Sequence, residues 1–330
     1  MPKRIHFLNV EDGDCSIIER PDDGRHTVID ICCGNIENEI GILDEFLSRA
    51  FSEEARPRGN YNFKSSPTNP VQYLKDIGIT NVHRFILTHP DMDHMDGIKK
   101  MFSELNITNF WDTGVEREAP SFETGKYLKE DWDFYQKLRA KEVEGVTVLS
   151  PRAGDKGKYW AYDDDENTGN GDYLSIISPT KKLVEEGNNA NFNDASYVIV
   201  YRSQAGNIIF PGDSEDKTWE YILSNHRSLV ENAAVLFAPH HGRDSDRDWE
   251  FLDIVNPKIS FLGNAKSKHL GYSAWQNREL EYFTNNQCGN IRIDFEGKEL
   301  IVSIENEAYA KKYTEDSTYN IDGYWYLLRK

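Results

Sequence analysis

The chain has 330 residues, 38% hydrophobic and 12% aromatic, enough to bury a sizeable core. Its 38 basic and 56 acidic residues give a net charge of −18, which argues against charge-driven, sequence-independent binding of duplex nucleic acid. No apolar run approaches the ~18 residues of a membrane span, no signal-peptide stretch precedes the first strand pattern, and four cysteines (Cys15, Cys32, Cys33, Cys288) lack framework spacing, so the reading is a cytoplasmic protein with reduced thiols.

In chain order, residues 5–10, 15–20 and 26–31 read as strands, with the acidic turn Glu11-Asp12-Gly13-Asp14 and the hairpin turn Pro21-Asp22-Asp23-Gly24 between them. Helical spacing of Ile40, Leu43, Phe46 and Leu47 predicts a helix over 38–51. Residues 52–69 read as loop and 71–77 as a helix ended by Gly78. The apolar run Arg84-Phe85-Ile86-Leu87 is a buried strand, and a helix starts at Gly97. A helix is expected near 128–141. Residues 154–172, rich in Gly, Asp and Tyr, read as a solvated insertion without EF-hand spacing. Strands follow at 174–179, 196–201, 208–210, 234–238 and 259–262, helices at 219–225 and 274–284, and a terminal hairpin at 291–304. Strands and helices in both halves suggest two sheets packed inside outer helices. The expectation is a single domain over 1–330, with insertions near 52–69 and 113–172.

The chemistry concentrates in Thr88-His89-Pro90-Asp91-Met92-Asp93-His94. Two imidazoles and two carboxylates on a tight loop after a buried strand are costly to hold unless a cation compensates them. A pair of divalent metals is the simplest compensation. Downstream stand Asn193-Asp194-Ala195-Ser196, Phe210-Pro211-Gly212-Asp213 and Ala238-Pro239-His240-His241-Gly242. With these motifs in this order the chain resembles the metallo-β-lactamase fold, and within that superfamily the soluble hydrolase domain of the competence protein ComEC. The resemblance implies an α/β fold, an αββα sandwich of two mixed sheets with outer helices.

It also implies a ligand set. One ion takes His89 and Asp91, the other takes Asp93, His94 and His241, and Asp213 bridges them. The superfamily's usual third histidine on the first ion is missing, and Asn193 or Asp194 stands at its place. The carboxylate enrichment makes Mn²⁺ a competitor to Zn²⁺. Of the pair, His241 aligns with the ligand, while His240 contacts substrate or packs beneath the site. Asp14 and Asp30 are expected to support ligands from behind by hydrogen bonds. The candidate catalytic residues are Asp93 and His269. Lys266 and Lys268 could form an anion patch beside His269, and Arg243 either contacts a phosphate or pairs with Asp244 or Asp246. Cys32 and Cys33 read as buried fillers, and His6, His26, His83 and His226 as structural.

The functional expectation is a binuclear metallohydrolase, a phosphodiesterase or nuclease, in which a metal-bridged hydroxide cleaves phosphodiesters in nucleic acid or nucleotides. Hydrolysis of a carboxylic ester, thioester or lactam uses the same attack and is the alternative; a non-catalytic metal-binding partner in a larger assembly is the third. No Gly-rich phosphate loop and no Gly-x-Ser-x-Gly elbow supports nucleoside triphosphate binding or serine hydrolysis.

Overall fold

The computed structural model of the chain describes residues 4–36, 61–161, 171–265 and 269–330. The helix expected over 38–51, the first half (52–60) of the loop 52–69, and Lys266 and Lys268 lie outside the described residues.

Two mixed sheets lie face to face. The first is built from β1 (Arg4–Phe7), β2 (Ser16–Glu19), β3 (Thr27–Ile29), β4 (Asn81–Leu87), β5 (Asn106–Asp112), β6 (Thr147–Leu149), β13 (Ile291–Glu296), β14 (Glu299–Ile304), β15 (Asn320–Ile321) and β16 (Tyr324–Arg329). Its order is β15-β16-β14-β13-β1-β2-β3-β4-β5-β6. The second holds β7 (Leu174–Ser178), β8 (Val198–Ser203), β9 (Gly206–Phe210), β10 (Val235–Phe237), β11 (Ile259–Leu262) and β12 (Tyr282–Thr284), ordered β12-β11-β10-β9-β8-β7. The strands β3 to β6 run parallel to one another, as do β9 to β12.

Alternation decides which side chains meet between the sheets. Ile5, Phe7, Ile293 and Val302 from the first sheet pack against Ile199, Phe210, Phe237 and Phe261 from the second. Phe210 stacks on Phe237 with centroids 4.7 Å apart, and Phe7 meets Phe237 edge-on at 4.9 Å. Each such buried aromatic contributes about 1.5–3 kcal/mol. The outer face of the first sheet (Val82, Phe85, Leu87) is covered by α1 (Pro70–Asp76), α2 (Ile98–Glu104) and α3 (Lys129–Arg139) through Leu74, Met101 and Tyr135. The outer face of the second (Val200, Ile209, Leu236) is covered by Trp219 and Ile222 of α4 (Asp216–Asn225) and by Leu252 and Val255. The layers are therefore αββα, as the sequence led us to expect.

Three stretches differ from the sequence expectation. The helix placed over 274–284 ends at Gln276, and Tyr282-Phe283-Thr284, rich in β-formers, instead pairs parallel with β11. The hairpin at 291–304 is not terminal: a helix at Glu307–Tyr313 and the hairpin of β15 and β16 follow, extending the first sheet along β14. The segment read as a solvated insertion closes on the core at both described ends. Trp160 packs edge-on against Trp111 at 5.0 Å, and buried Asp172 receives Arg84 at 2.8 Å and Arg25 at 2.7 Å.

Candidate metal centre

The predicted ligands sit on loops that leave the carboxyl ends of parallel strands. Asp30 follows β3, His89 to His94 follow β4, Asp213 follows β9, and His240 and His241 follow β10. Open α/β sheets place ligands in the crevice at these strand ends.

The loop after β4 is held by the backbone as well as by side chains. Asp91 accepts from the Met92 amide at 2.6 Å and starts a short 3₁₀ turn over Met92–His94. Gly97, at φ 94°, then turns the chain into α2; a Cβ there would lie 2.4 Å from Gly34 Cα. On the opposite sheet, Gly212 at φ 52° lets Asp213 approach, since a Cβ would meet Thr88 Cβ at 2.8 Å. His240 and His241 both adopt left-handed backbone, at φ 54° and 58°. Two consecutive non-glycine residues there store strain that the surrounding structure must hold, a pattern that concentrates at functional sites.

These loops converge. The ring atoms of His89 and His94 and a carboxylate oxygen of Asp213 lie within 4.8 Å of one another; so do those of Asp93, His94 and His241, and of Asp14, Asp213 and His241. His94 Nε2 stands 3.2 Å from Asp213 Oδ1, and His89 and His241 Nε2 stand 3.7 Å from Asp213 oxygens. His89, His94 and His241 are fully buried. Their Nε2 atoms and Asp213 Oδ1 make no hydrogen bond among the described residues. Buried polar atoms are normally paired, so four unpaired donor atoms aimed at one point fit a cation. Imidazole nitrogen and carboxylate oxygen are the donors that Zn²⁺ and Mn²⁺ accept.

The second layer fixes the rings. Buried Asp30, at φ 58°, accepts from the Thr88 amide at 2.7 Å, from Thr88 Oγ1 at 2.7 Å and from His94 Nδ1 at 2.8 Å. The His94 proton therefore sits on Nδ1 and its lone pair at Nε2 faces the centre. His241 Nδ1 lies 3.0 Å from Asp14 Oδ1, an ion-pair contact without hydrogen-bond geometry. His240 differs. Its Nδ1 is 3.2 Å from Arg247 Nη2, and a guanidinium only donates, so Nδ1 accepts and Nε2 carries the proton, 3.4 Å from Asp213 Oδ2. His240 in this state donates toward Asp213 and offers no lone pair to an ion.

Until a cation displaces it, the carboxylates favour a second proton on His94 and His241. Burial alone would lower His94, but Asp213 and Asp30 raise it well above the ordinary imidazole range. Burial likewise opposes His241, yet Asp14 and Asp213 bring it up to about 10. Burial and the neighbouring His94 push His89 well down. Asp213 runs against its own burial: His240, His94, His241 and His89 hold it well below the carboxylate range. Asp93 is lowered in the same way, burial being overcome by His241 and His94.

The remaining predicted residues separate. Asp91 joins none of the three donor groups; its Oδ1 pairs with Arg117 Nη1 at 2.7 Å, and Arg117 also donates to the Pro90 carbonyl at 2.6 Å. Asp194 faces α4, accepting from the Thr218 amide and hydroxyl at 3.4 Å each, and so serves the helix start. Asn193 Nδ2 donates to Glu215 Oε1 at 3.2 Å. His269 and Arg243 line a polar cavity of about 290 Å³ with Asp12, Asp91, Asp93, Lys126 and Tyr127. Arg243 makes no ion pair among the described residues, so the surface pairing with Asp244 or Asp246 is not formed. Cys32 and Cys33 are buried with Sγ atoms 3.6 Å apart. The bond to Cys33 and burial raise the Cys32 thiol well above its ordinary range. Asp96 beside them is committed to the Cys33 amide and Asn35. Sequence reasoning missed Arg117, Phe192, whose ring stacks 5.9 Å from His89 and lies under Arg117, and the Lys126-Tyr127 rim. All four come from loops whose local pattern carries no periodic signal.

By sequence, no known family and no curated protein matches the chain. Among solved structures, Tm1679, a metal-dependent hydrolase of the beta-lactamase superfamily, aligns with 89% of this chain and 100% of its own length at 11% identity and a TM-score of 0.51. The fold is the metallo-β-lactamase fold. Igni18, a metallo hydrolase from the archaeon Ignicoccus hospitalis, aligns over 89% of this chain and 100% of its own at 12% identity and a TM-score of 0.46. Unliganded yeast PDE1 aligns over the same shares at 11% identity and a TM-score of 0.47. No helix among the described residues is long and apolar enough to cross a membrane.

Proposed function

We propose that the protein is a metal-dependent hydrolase of phosphodiester bonds in nucleotides or nucleic acid. One observation carries the reading: the buried, unpaired Nε2 atoms of His89, His94 and His241 meet Asp93 and Asp213 at the strand ends of both sheets. His89 and Asp213 would hold one divalent ion, and Asp93, His94 and His241 the other, with Asp213 shared between them. Asp91 would join the first only by leaving Arg117. When bound, Zn²⁺ or Mn²⁺ supplies Lewis acidity and lowers the pKa of water.

The chain's own residues do the rest. Asp30 orients His94 by a hydrogen bond, and Asp14 lies in ion-pair reach of His241. His240 keeps a proton on Nε2 at the edge of the centre, because Arg247 occupies Nδ1. Asp93 and His269 face the cavity from opposite loops, where a substrate would meet both. The His-Pro-Asp-x-Asp-His form of the loop, with Asp91 in place of a second histidine, is the basis for grouping the chain with ComEC-type hydrolases. The buried, unbridged cysteines suit a reducing, cytoplasmic setting.

The test is a screen of the purified chain, loaded with Mn²⁺ or Zn²⁺, against bis-p-nitrophenyl phosphate, single-stranded DNA, RNA, nitrocefin and thioesters. The proposal expects turnover of a phosphodiester that is lost in Asp213→Ala. Turnover confined to nitrocefin or thioesters would transfer the site to carbonyl chemistry, and metal binding with no turnover at all would favour a non-catalytic partner.

A further inference from the structure

The cavity beside the centre is lined by three carboxylates, Asp12, Asp91 and Asp93, and by Arg243, Lys126 and His269, with Tyr127. Three distant segments bring the basic residues together. The stretch carrying His269 is zipped onto the loop after His241 by the antiparallel Arg243–Leu270 bridge, made by two backbone bonds: the Asp244 amide on the His269 carbonyl at 2.6 Å and the Gly271 amide on the Gly242 carbonyl at 2.8 Å. Arg243 and His269 are thus held side by side. Lys126 reaches in from the segment before α3, with its ammonium 4.8 Å from the Tyr127 ring centroid and 3.5 Å from Asp12.

In a chain of net charge −18, a guanidinium with no ion pair among the described residues is an unusual thing to find in a cavity lined by three carboxylates. Asp91 is already taken by Arg117 and Asp93 lies beside His241, so neither satisfies Arg243. Lys126 and its Asp12 partner are each nearly half exposed and 3.5 Å apart, and such a solvated pair exchanges easily. Both cations are free to turn toward an anion entering the cavity, and a guanidinium matches phosphate oxygens in bidentate fashion. The volume of about 290 Å³ sits at the lower edge of small-molecule pockets, which run from roughly 300 to 1,000 Å³.

We propose that Arg243, Lys126 and His269 form an anion clamp that seats one phosphoryl group of a small phosphorylated substrate over the metal centre. This rests on the phosphodiesterase reading and narrows it from polymers to small molecules.

The experiment titrates inorganic phosphate into the Mn²⁺-loaded full chain and into Arg243→Ala, Arg243→Lys and Lys126→Ala, with metal content measured for each. Kinetics on bis-p-nitrophenyl phosphate and on a single-stranded oligonucleotide run in parallel. Loss of a charge-assisted contact should weaken phosphate binding about tenfold in each alanine variant, with metal content retained and KM rising more than kcat falls. Arg243→Lys should recover part of the loss, which a merely structural arginine would not show. Phosphate binding equal to wild type in both alanine variants overturns the clamp. A wild type that cleaves the oligonucleotide faster than the small diester overturns the small-substrate assignment and leaves the phosphodiesterase reading standing. A wild type that cleaves only carbonyl substrates removes that reading itself.

Discussion

Asp30→Asn is the most informative single change. The carboxylate accepts three hydrogen bonds inside a fully buried pocket: the Thr88 amide, the Thr88 hydroxyl and His94 Nδ1, all at 2.7–2.8 Å. Asparagine tolerates the left-handed backbone that Asp30 adopts at φ 58°, so the fold of the turn is not what the substitution perturbs. Its carboxamide oxygen can still accept two of the three bonds, but its NH₂ group must then face a donor. One charge-assisted bond is lost and one buried donor is left opposing another, together about 2–4 kcal/mol. The acceptor left to His94 Nδ1 is then a neutral amide oxygen in place of a carboxylate, which loosens the ring and lowers metal affinity by about 10–100-fold. Urea unfolding of the metal-free chain reads the first quantity, and titration of Mn²⁺ or Zn²⁺ followed by calorimetry reads the second. If Asp30→Asn matches wild type in both, the claim that Asp30 anchors this loop and orients His94 is wrong.

Other outcomes follow from neighbouring groups. Burial and the adjacent Arg84 push His83 down to about 4 from 6.5. Between those values the unfolded chain binds the extra proton, so stability falls as pH drops through the window, by about 1–2 kcal/mol after allowance for partial exposure. Urea unfolding at pH 7 and pH 4.5 should show a smaller drop for His83→Gln, and an equal drop would contradict the assignment. Asp172→Ala strands the buried Arg84 guanidinium, while Arg25 keeps Asp23, and should cost about 3–5 kcal/mol in the same assay; a loss under 1 kcal/mol would mean that water or other groups take over. Arg117→Met releases Asp91 while keeping bulk over Phe192. Affinity for the ion nearer His89 should rise up to about tenfold, and an unchanged affinity would show that Asp91 plays no part there.

Much of this site could be read from the chain because its donors occur in dense local motifs. The loop from His89 to His94, Gly212-Asp213 and Pro239-His240-His241 each announce themselves by residue type at strand ends. What surrounds them could not be read, because it depends on contacts between distant segments. Asp30 was visible as a strand-end carboxylate, but its bonds to Thr88 and His94 exist only once β3 and β4 pair in parallel. Asp91 looked equivalent to Asp93 in sequence, and only the arrival of Arg117, more than twenty positions downstream, separates them. His240 and His241 are adjacent, yet Nδ1 of one meets the Arg247 guanidinium and Nδ1 of the other the Asp14 carboxylate. The fold divides likewise. Alternating and apolar runs gave the layers, whereas Tyr282-Phe283-Thr284 needed β11 beside it to become a strand, and β16 needed β14.

The central claim is that loops from both sheets converge to hold divalent cations. Anomalous diffraction at the manganese edge, from crystals grown in Mn²⁺, measures this directly. Peaks within bonding distance of Nε2 of His89, His94 and His241, with Asp213 oxygens between them, are the predicted result. Absence of a peak there at saturating Mn²⁺ and Zn²⁺, or metal bound only beside Cys32, Cys33 and Asp96, would contradict it.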